Sequence, residues 1–235
     1  MKLLISPQNI KEAIEAIAGG ADIVDVKNPK EGSLGANFPW VIKEVKQLLP
    51  DNVELSCTIG EVPNLPGSMS LAAYGAALLG VDYIKVGLNG VQTIQKATDL
   101  LENIVRAVKM CNSKIRIVVA GYGDYSRVNS IEPQLVVQAA FSVKADVVML
   151  DTAIKDGKNL FVFQNFQQLE AFIDAAHEHQ LSVALAGSLQ SQNLLTVKKL
   201  GADFVGLRGA ACQNNNRNTG SITRERVKEL AEIIR

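Results

Sequence analysis

Gly20-Ala21-Asp22-Ile23-Val24-Asp25-Val26-Lys27, Gly80-Val81-Asp82-Tyr83-Ile84-Lys85-Val86-Gly87, Lys144-Ala145-Asp146-Val147-Val148-Met149-Leu150-Asp151 and Gly201-Ala202-Asp203-Phe204-Val205-Gly206-Leu207-Arg208 are four versions of one pattern. Their aligned aspartates lie 60, 64 and 57 residues apart. That spacing fits two strand-plus-helix units per repeat, and hence about eight units in all. It predicts an α/β fold, a single (βα)8 TIM barrel, with residues 1–235 forming one catalytic domain.

A β-strand turns alternate side chains to opposite faces. The second and fourth residues after each aspartate are Val24 and Val26, Ile84 and Val86, Val148 and Leu150, Val205 and Leu207, all aliphatic. This face belongs under an outer ring of helices. The other face starts apolar, with Ile23, Tyr83, Val147 and Phe204, and becomes charged toward the strand ends through Asp25, Lys85, Lys27, Asp151 and Arg208. Alternate strands of a parallel barrel fill common interior layers, and active sites lie at the C-terminal mouth. Two lysines, two aspartates and an arginine are therefore predicted to point into one mouth.

The intervening strands read at Lys2–Ser6, Val53–Ile59, Ile115–Ala120 and Ser182–Ala186, each short, apolar and followed by turn residues. Helical spacing appears in Ile10, Ile14 and Ile17, and again in Val41, Ile42, Val45, Leu48 and Leu49, where Asn37 is the expected N-cap. An open Rossmann-like sheet is the alternative. The first strand is followed by no Gly-x-Gly-x-x-Gly run, which argues against it.

Lysine and arginine number 24, as do aspartate and glutamate, so no global field would gather nucleic acid or an anionic membrane. The expected partner is a small molecule. Cys57, Cys111 and Cys212 are odd in number and widely spaced, which argues against a disulfide framework or a structural zinc site and makes the cytoplasm the expected location. The apolar start is cut by Ser6-Pro7, and no membrane span or signal-peptide core is read. Every apolar stripe is needed to cover the barrel, so oligomeric state is not legible and a homo-oligomer stays open.

A free lysine titrates near 10.4. To attack a carbonyl at neutral pH it must be lowered by roughly two to three pH units, through burial or a neighbouring cation. Lys85, one interior layer below Lys27 on the next repeat, offers that cation. One lysine of the pair can then form an imine while the other, or an adjacent aspartate, moves protons. The competing reading is a buried ionic core in which the lysines merely balance Asp25 and Asp151. It is disfavoured because burying several charges costs several kcal/mol each even after pairing, and these cluster where barrels place catalysis. Lys155, four residues past Asp151, either joins the cluster or is a solvated loop lysine.

Ala186-Gly187-Ser188 after the seventh strand and Arg208-Gly209-Ala210 after the eighth suggest a phosphate site, since small residues let backbone amides approach an anion. The candidates are Gly187, Ser188, Arg208, Gly209 and Ala210. Gly32-Ser33-Leu34-Gly35 and Cys212–Asn218 read as plain loops, with lids or an anion cradle as alternatives. No metal and no cofactor are expected. His177 and His179 fall on nearly opposite sides of a helix, and lysines would compete with magnesium for Asp25, Asp124 and Asp151. Tyr122 and Asp124 either line the mouth or cap a turn.

The run Asp25-Val26-Lys27-Asn28-Pro29-Lys30-Glu31-Gly32-Ser33-Leu34-Gly35-Ala36, with Tyr83-Ile84-Lys85-Val86-Gly87 and Asp151-Thr152-Ala153-Ile154-Lys155-Asp156-Gly157, resembles the (5-formylfuran-3-yl)methyl phosphate synthase family along the whole chain. The resemblance implies a lyase that makes a furan aldehyde phosphate from two molecules of the triose phosphate glyceraldehyde 3-phosphate, with loss of phosphate and water, in methanofuran biosynthesis. It also implies Lys27 as the Schiff-base lysine, Lys85 as proton acceptor, and Asp25, Asp151 and Lys155 in support. Two other readings stand beside it: a class I aldolase-like enzyme acting on another sugar phosphate, and a non-catalytic barrel that binds a phosphorylated metabolite.

Overall fold

In the computed structural model, which describes residues 1–61 and 64–235, strand and helix alternate as the periodicity predicts. The elements are β1 (Lys2–Ile5), α1 (Ile10–Ala18), β2 (Ile23–Val26), α2 (Pro39–Leu48), β3 (Glu54–Thr58), α3 (Pro66–Ala77), β4 (Tyr83–Gly87) and α4 (Ile94–Cys111). They continue through β5 (Arg116–Tyr122), α5 (Pro133–Ser142), β6 (Val147–Asp151), α6 (Leu160–Phe163), α7 (Phe166–Glu178), β7 (Ser182–Leu185), α8 (Leu194–Lys199), β8 (Phe204–Leu207) and α9 (Arg224–Ile234). The strands pair in sequence order, all parallel, and β8 closes on β1. This is a (βα)8 barrel.

The repeated aspartate explains itself at the N-terminal end. The carboxylates of Asp22, Asp82, Asp146 and Asp203 accept backbone N–H groups of the preceding strand, from Leu3 (2.7 Å), Leu55 (2.8 Å), Ile117 (2.7 Å) and Val183 (2.8 Å). Each repeat thus ties an even strand to the odd strand before it, and satisfies a donor whose loss would be costly if left unpaired.

The faces separate as the alternation requires. Val24, Val26, Ile84, Val86, Val148, Leu150, Val205 and Leu207 are buried in the layer between barrel and helices. Ile23, Tyr83, Val147 and Phe204 join Leu4, Val118 and Ala184 in a second cluster inside the barrel. There the rings of Tyr83 and Phe204 meet edge to face at 6.2 Å. Several boundaries differ from expectation: β1 ends at Ile5, β3 spans Glu54–Thr58, β5 starts at Arg116 and β7 ends at Leu185. β5 runs on to Tyr122 because Gly121 and Tyr122 still pair with Leu150 and Asp151. Phe38, not Asn37, occupies the cap position of α2. The Asn37 carboxamide instead donates to the carbonyls of Gln8 (2.9 Å) and Lys27 (3.2 Å), which fixes the chain leaving β2.

Candidate active site

Charge enters the barrel in two layers. In the lower one Asp25 is fully buried and accepts from Lys85 Nζ (2.7 Å), Ser56 Oγ (2.7 Å) and Ser6 Oγ (3.0 Å). Burial alone would raise its pKa, but Lys85 and Lys27 outweigh that and hold it below the usual carboxylate value. Lys85 is buried with it and faces the barrel interior beside Ser56, Tyr83 and Met149. The alternation therefore has Lys85 on the right face, yet it forms a floor and does not reach the open mouth.

In the upper layer Lys27 is 5% exposed, and its amine donates to the Ser33 carbonyl at 3.2 Å. Burial is the largest influence on this amine, and Lys85 and Lys155 push in the same direction against Asp151 and Asp25. Its pKa falls from 10.5 to about 7. A lysine in that range is half unprotonated near neutrality and able to attack a carbonyl. At the end of β6, Asp151 is ion-paired with Lys155 and takes the Thr152 amide at 2.7 Å. Burial opposes ionisation of Asp151, but Lys155, Lys27 and these hydrogen bonds bring its pKa to about 2.

Lys27, Asp151 and Lys155 all line a cavity of about 480 Å³, a size suited to a small ligand. The lining comes from residues at the ends of β1, β2, β6, β7 and β8 and the loops that follow; among the described residues β3, β4 and β5 contribute none. Gly187, Ser188 and Gly209 line it as expected, whereas Ala210 is packed into the outer core. Gly187 has φ of +100°, and a Cβ there would lie 3.0 Å from the Thr152 amide nitrogen, so the turn needs glycine. Arg208 reaches the cavity wall, but its guanidinium is committed to Glu12 on α1 (2.6 and 3.2 Å) and to the Ser6 carbonyl (2.9 Å). It is a buried strut first.

Arg217, which spacing did not single out, lines the same cavity and makes no hydrogen bond or ion pair among the described residues. It sits on the segment Cys212–Asn218, whose residues from Asn214 onward form the outer wall. Glu61 was also missed. It takes the Ser33 amide (3.1 Å), the Ser33 hydroxyl (2.7 Å) and the Tyr122 hydroxyl (2.6 Å). These bonds tie the Gly32–Gly35 turn to the loop after β3 and to the end of β5. Tyr122 is buried in this network, and Asp124 accepts from the amides of Ala153 (2.7 Å) and Ile154 (3.1 Å), bracing the loop after β6.

The aspartates considered for a metal have other partners here: Lys85 and two serine hydroxyls for Asp25, Lys155 and an amide for Asp151, and two amides and Arg127 for Asp124. Among the described residues no group of three His, Cys, Asp or Glu side chains is placed to hold an ion. His177 bonds Asp203 at 3.0 Å and His179 stacks on Phe141, both away from the mouth. Among the described residues no helix is long and apolar enough to cross a membrane.

A family model described as 4-HFC-P synthase matches residues 3–231. The chain belongs to this family. A curated relative from Methanocaldococcus jannaschii, named (5-formylfuran-3-yl)methyl phosphate synthase, is 54% identical over 235 residues and spans all of both chains. One of the same name from Methanothermobacter thermautotrophicus is 53% identical over 234 residues, covering 100% of this chain and 99% of its own. Membership in the 4-HFC-P synthase family makes the chain an enzyme. Among solved structures, a 3-hexulose-6-phosphate synthase superposes with a TM-score of 0.66 at 20% identity over the full length of both chains. Phosphoribosyl anthranilate isomerase from Thermus thermophilus gives 0.64 at 15%, over 100% of this chain and 98% of its own. Those two likenesses carry the barrel fold alone.

Proposed function

We propose that this member of the 4-HFC-P synthase family condenses two molecules of glyceraldehyde 3-phosphate into (5-formylfuran-3-yl)methyl phosphate, through an imine on Lys27, for methanofuran biosynthesis. Atom balance requires the loss of one phosphate and two molecules of water. The observation that carries the reading is the state of Lys27: a buried amine with its pKa brought to about 7, on the wall of a cavity at the strand ends. The names of the relatives support the product.

Addition of the Lys27 amine to an aldehyde, followed by loss of water, gives an imine that makes the neighbouring carbon acidic. Removal of that proton yields an enamine able to expel phosphate or attack the second aldehyde. Asp151 and Lys155 stand beside Lys27 on the cavity wall, and we assign proton transfer to that pair. Lys85 and Asp25 lie beneath, so their part is electrostatic: burial does most to lower the Lys27 pKa, Lys85 adds to it and Asp25 opposes it. Arg217 and the amides of the Gly187–Ser188 turn, which line the cavity, receive a substrate phosphate. Residues 1–235 act as one catalytic domain on a small phosphorylated substrate, without a cofactor.

Borohydride added with glyceraldehyde 3-phosphate tests the reading, with peptide mass spectrometry locating the adduct. A reduced three-carbon adduct on Lys27, absent from Lys27→Ala, is the expected result. Saturable binding of glyceraldehyde 3-phosphate with no adduct would defeat it.

A further inference from the structure

In the half of the mouth that the cavity leaves out, one carboxylate ties several strand ends together beside the buried Leu34 and Tyr122. Glu61, in the loop after β3, receives three hydrogen bonds from two other strand ends: the Ser33 amide and hydroxyl after β2, and the Tyr122 hydroxyl at the end of β5. Two glycines make room for it. Gly32 has φ of +125°, and a Cβ there would overlap Glu61 Oε2. Gly87, at the end of β4, would drive a Cβ into the Tyr122 hydroxyl. Gly87 has no positive φ, so its backbone accepts any residue and packing alone demands glycine: the same Cβ would also meet Leu34 Cδ1 at 2.9 Å and Glu61 Cγ at 3.2 Å. In the repeat pattern Gly87 stands where the other three copies carry Lys27, Asp151 and Arg208.

The network ends on the reactive amine, because the Ser33 carbonyl accepts from Lys27 Nζ at 3.2 Å. We propose that Glu61 is a positioning residue for Lys27. Its carboxylate clamps the Gly32–Ser33 turn, and the clamped Ser33 carbonyl fixes the amine against the cavity wall for attack. A neutral amine has two N–H donors and one lone pair, so a fixed acceptor on one N–H limits where the lone pair points. Glu61 acts through Ser33 and does not touch substrate. The inference rests on Lys27 being the nucleophile.

Single-turnover capture by borohydride at saturating glyceraldehyde 3-phosphate, read as mass on the Lys27 peptide, tests it in wild type, Glu61→Ala, Glu61→Gln and Gly87→Ala. Glu61→Ala is expected to slow capture roughly a hundredfold, the effect of a misplacement of about 1 Å, with KM little changed because the phosphate loops lie on the other half of the mouth. Glu61→Gln should recover most of the rate. Its amide oxygen can take the Ser33 N–H while its NH2 group donates to the Ser33 and Tyr122 hydroxyls, which are free to turn and accept. Gly87→Ala keeps every polar group, should slow capture as Glu61→Ala does, and carries the test if Glu61→Ala does not fold. Capture in Glu61→Ala at the wild-type rate overturns the inference. So does a Glu61→Gln variant as slow as Glu61→Ala, which would make the charge or a proton the active element. A wild type that forms no adduct overturns the Lys27 reading itself, before any variant is compared.

Discussion

The four repeats begin alike and end unlike. At the N-terminal end of the barrel Asp22, Asp82, Asp146 and Asp203 do one job four times, each accepting an N–H from the strand before it. At the C-terminal end the corresponding positions hold an amine (Lys27), no side chain (Gly87), a carboxylate (Asp151) and a guanidinium (Arg208). Closing a barrel poses the same hydrogen-bonding problem at each repeat, so one solution recurs. A reaction at the centre of the mouth needs different groups around a single substrate, and fourfold symmetry is lost there. The two ends should therefore respond oppositely to substitution: loss of activity without loss of stability at the top, and the reverse below.

Lys27→Ala is the sharpest test of that contrast. Turnover should vanish while thermal unfolding shows an intact barrel, with a Tm no lower than wild type, because the change removes a buried amine that burial already disfavours as a cation. The pH dependence has a definite sign. Folded Lys27 loses its proton above about 7, whereas the unfolded lysine keeps it to 10.5. Between these values the unfolded state binds more protons, so this group makes stability rise with pH. Denaturant midpoints from pH 6 to 10 should show the wild type gaining on Lys27→Ala across that window. A difference that stays flat would mean the amine is not depressed.

Arg208 breaks the simple division and so sharpens it. It stands at the mouth, yet its guanidinium and Glu12 form an ion pair buried on both sides. Removing one partner strands the other charge, so Arg208→Met should cost about 3–5 kcal/mol of stability, read by urea unfolding. Arg217→Met should do the opposite. This arginine has no ion-pair partner among the described residues, so stability should hold within about 0.5 kcal/mol. Loss of a charged hydrogen bond to phosphate should raise KM roughly ten- to hundredfold. Equal stability losses in the two variants would refute the assignment of a strut and a receptor.

Those two arginines show where legibility ended. Strand faces, closure and the charged layers were readable because alternation and repeat spacing are local properties of the chain. Asp25, Lys27, Lys85 and Asp151 follow from the same alternation, whereas Lys155 lies in the loop past β6, where alternation leaves a solvated lysine equally open; the structure pairs it with Asp151. Pairing was not readable. The alternation puts Lys85 one layer below Lys27, but the carboxylate it pairs with, Asp25, is also held by Ser56 of β3 and Ser6 at the end of β1. Arg208 could be aimed at the mouth, but its partner Glu12 lies 196 residues away. Glu61 and Arg217 sit in irregular loops with no periodicity to mark them. For Glu61 a faint signal existed: Gly87 is the one glycine at a repeat position otherwise held by charged side chains, and a missing side chain implies a neighbour in its place.

The smallest effect tests the lower end. Asp22 makes no ion pair among the described residues, so Asp22→Ala isolates its hydrogen bond to the Leu3 amide. Asp22 is only partly buried, so water can replace part of what is lost, and the cost should be about 1 kcal/mol. Leu3 lies on β1, some distance along the barrel from Lys27, and kcat should match wild type. If kcat fell together with stability, the lower ring would be transmitting its geometry to the mouth. The repeated aspartates would then have to be counted as part of the catalytic design as well as of the closure.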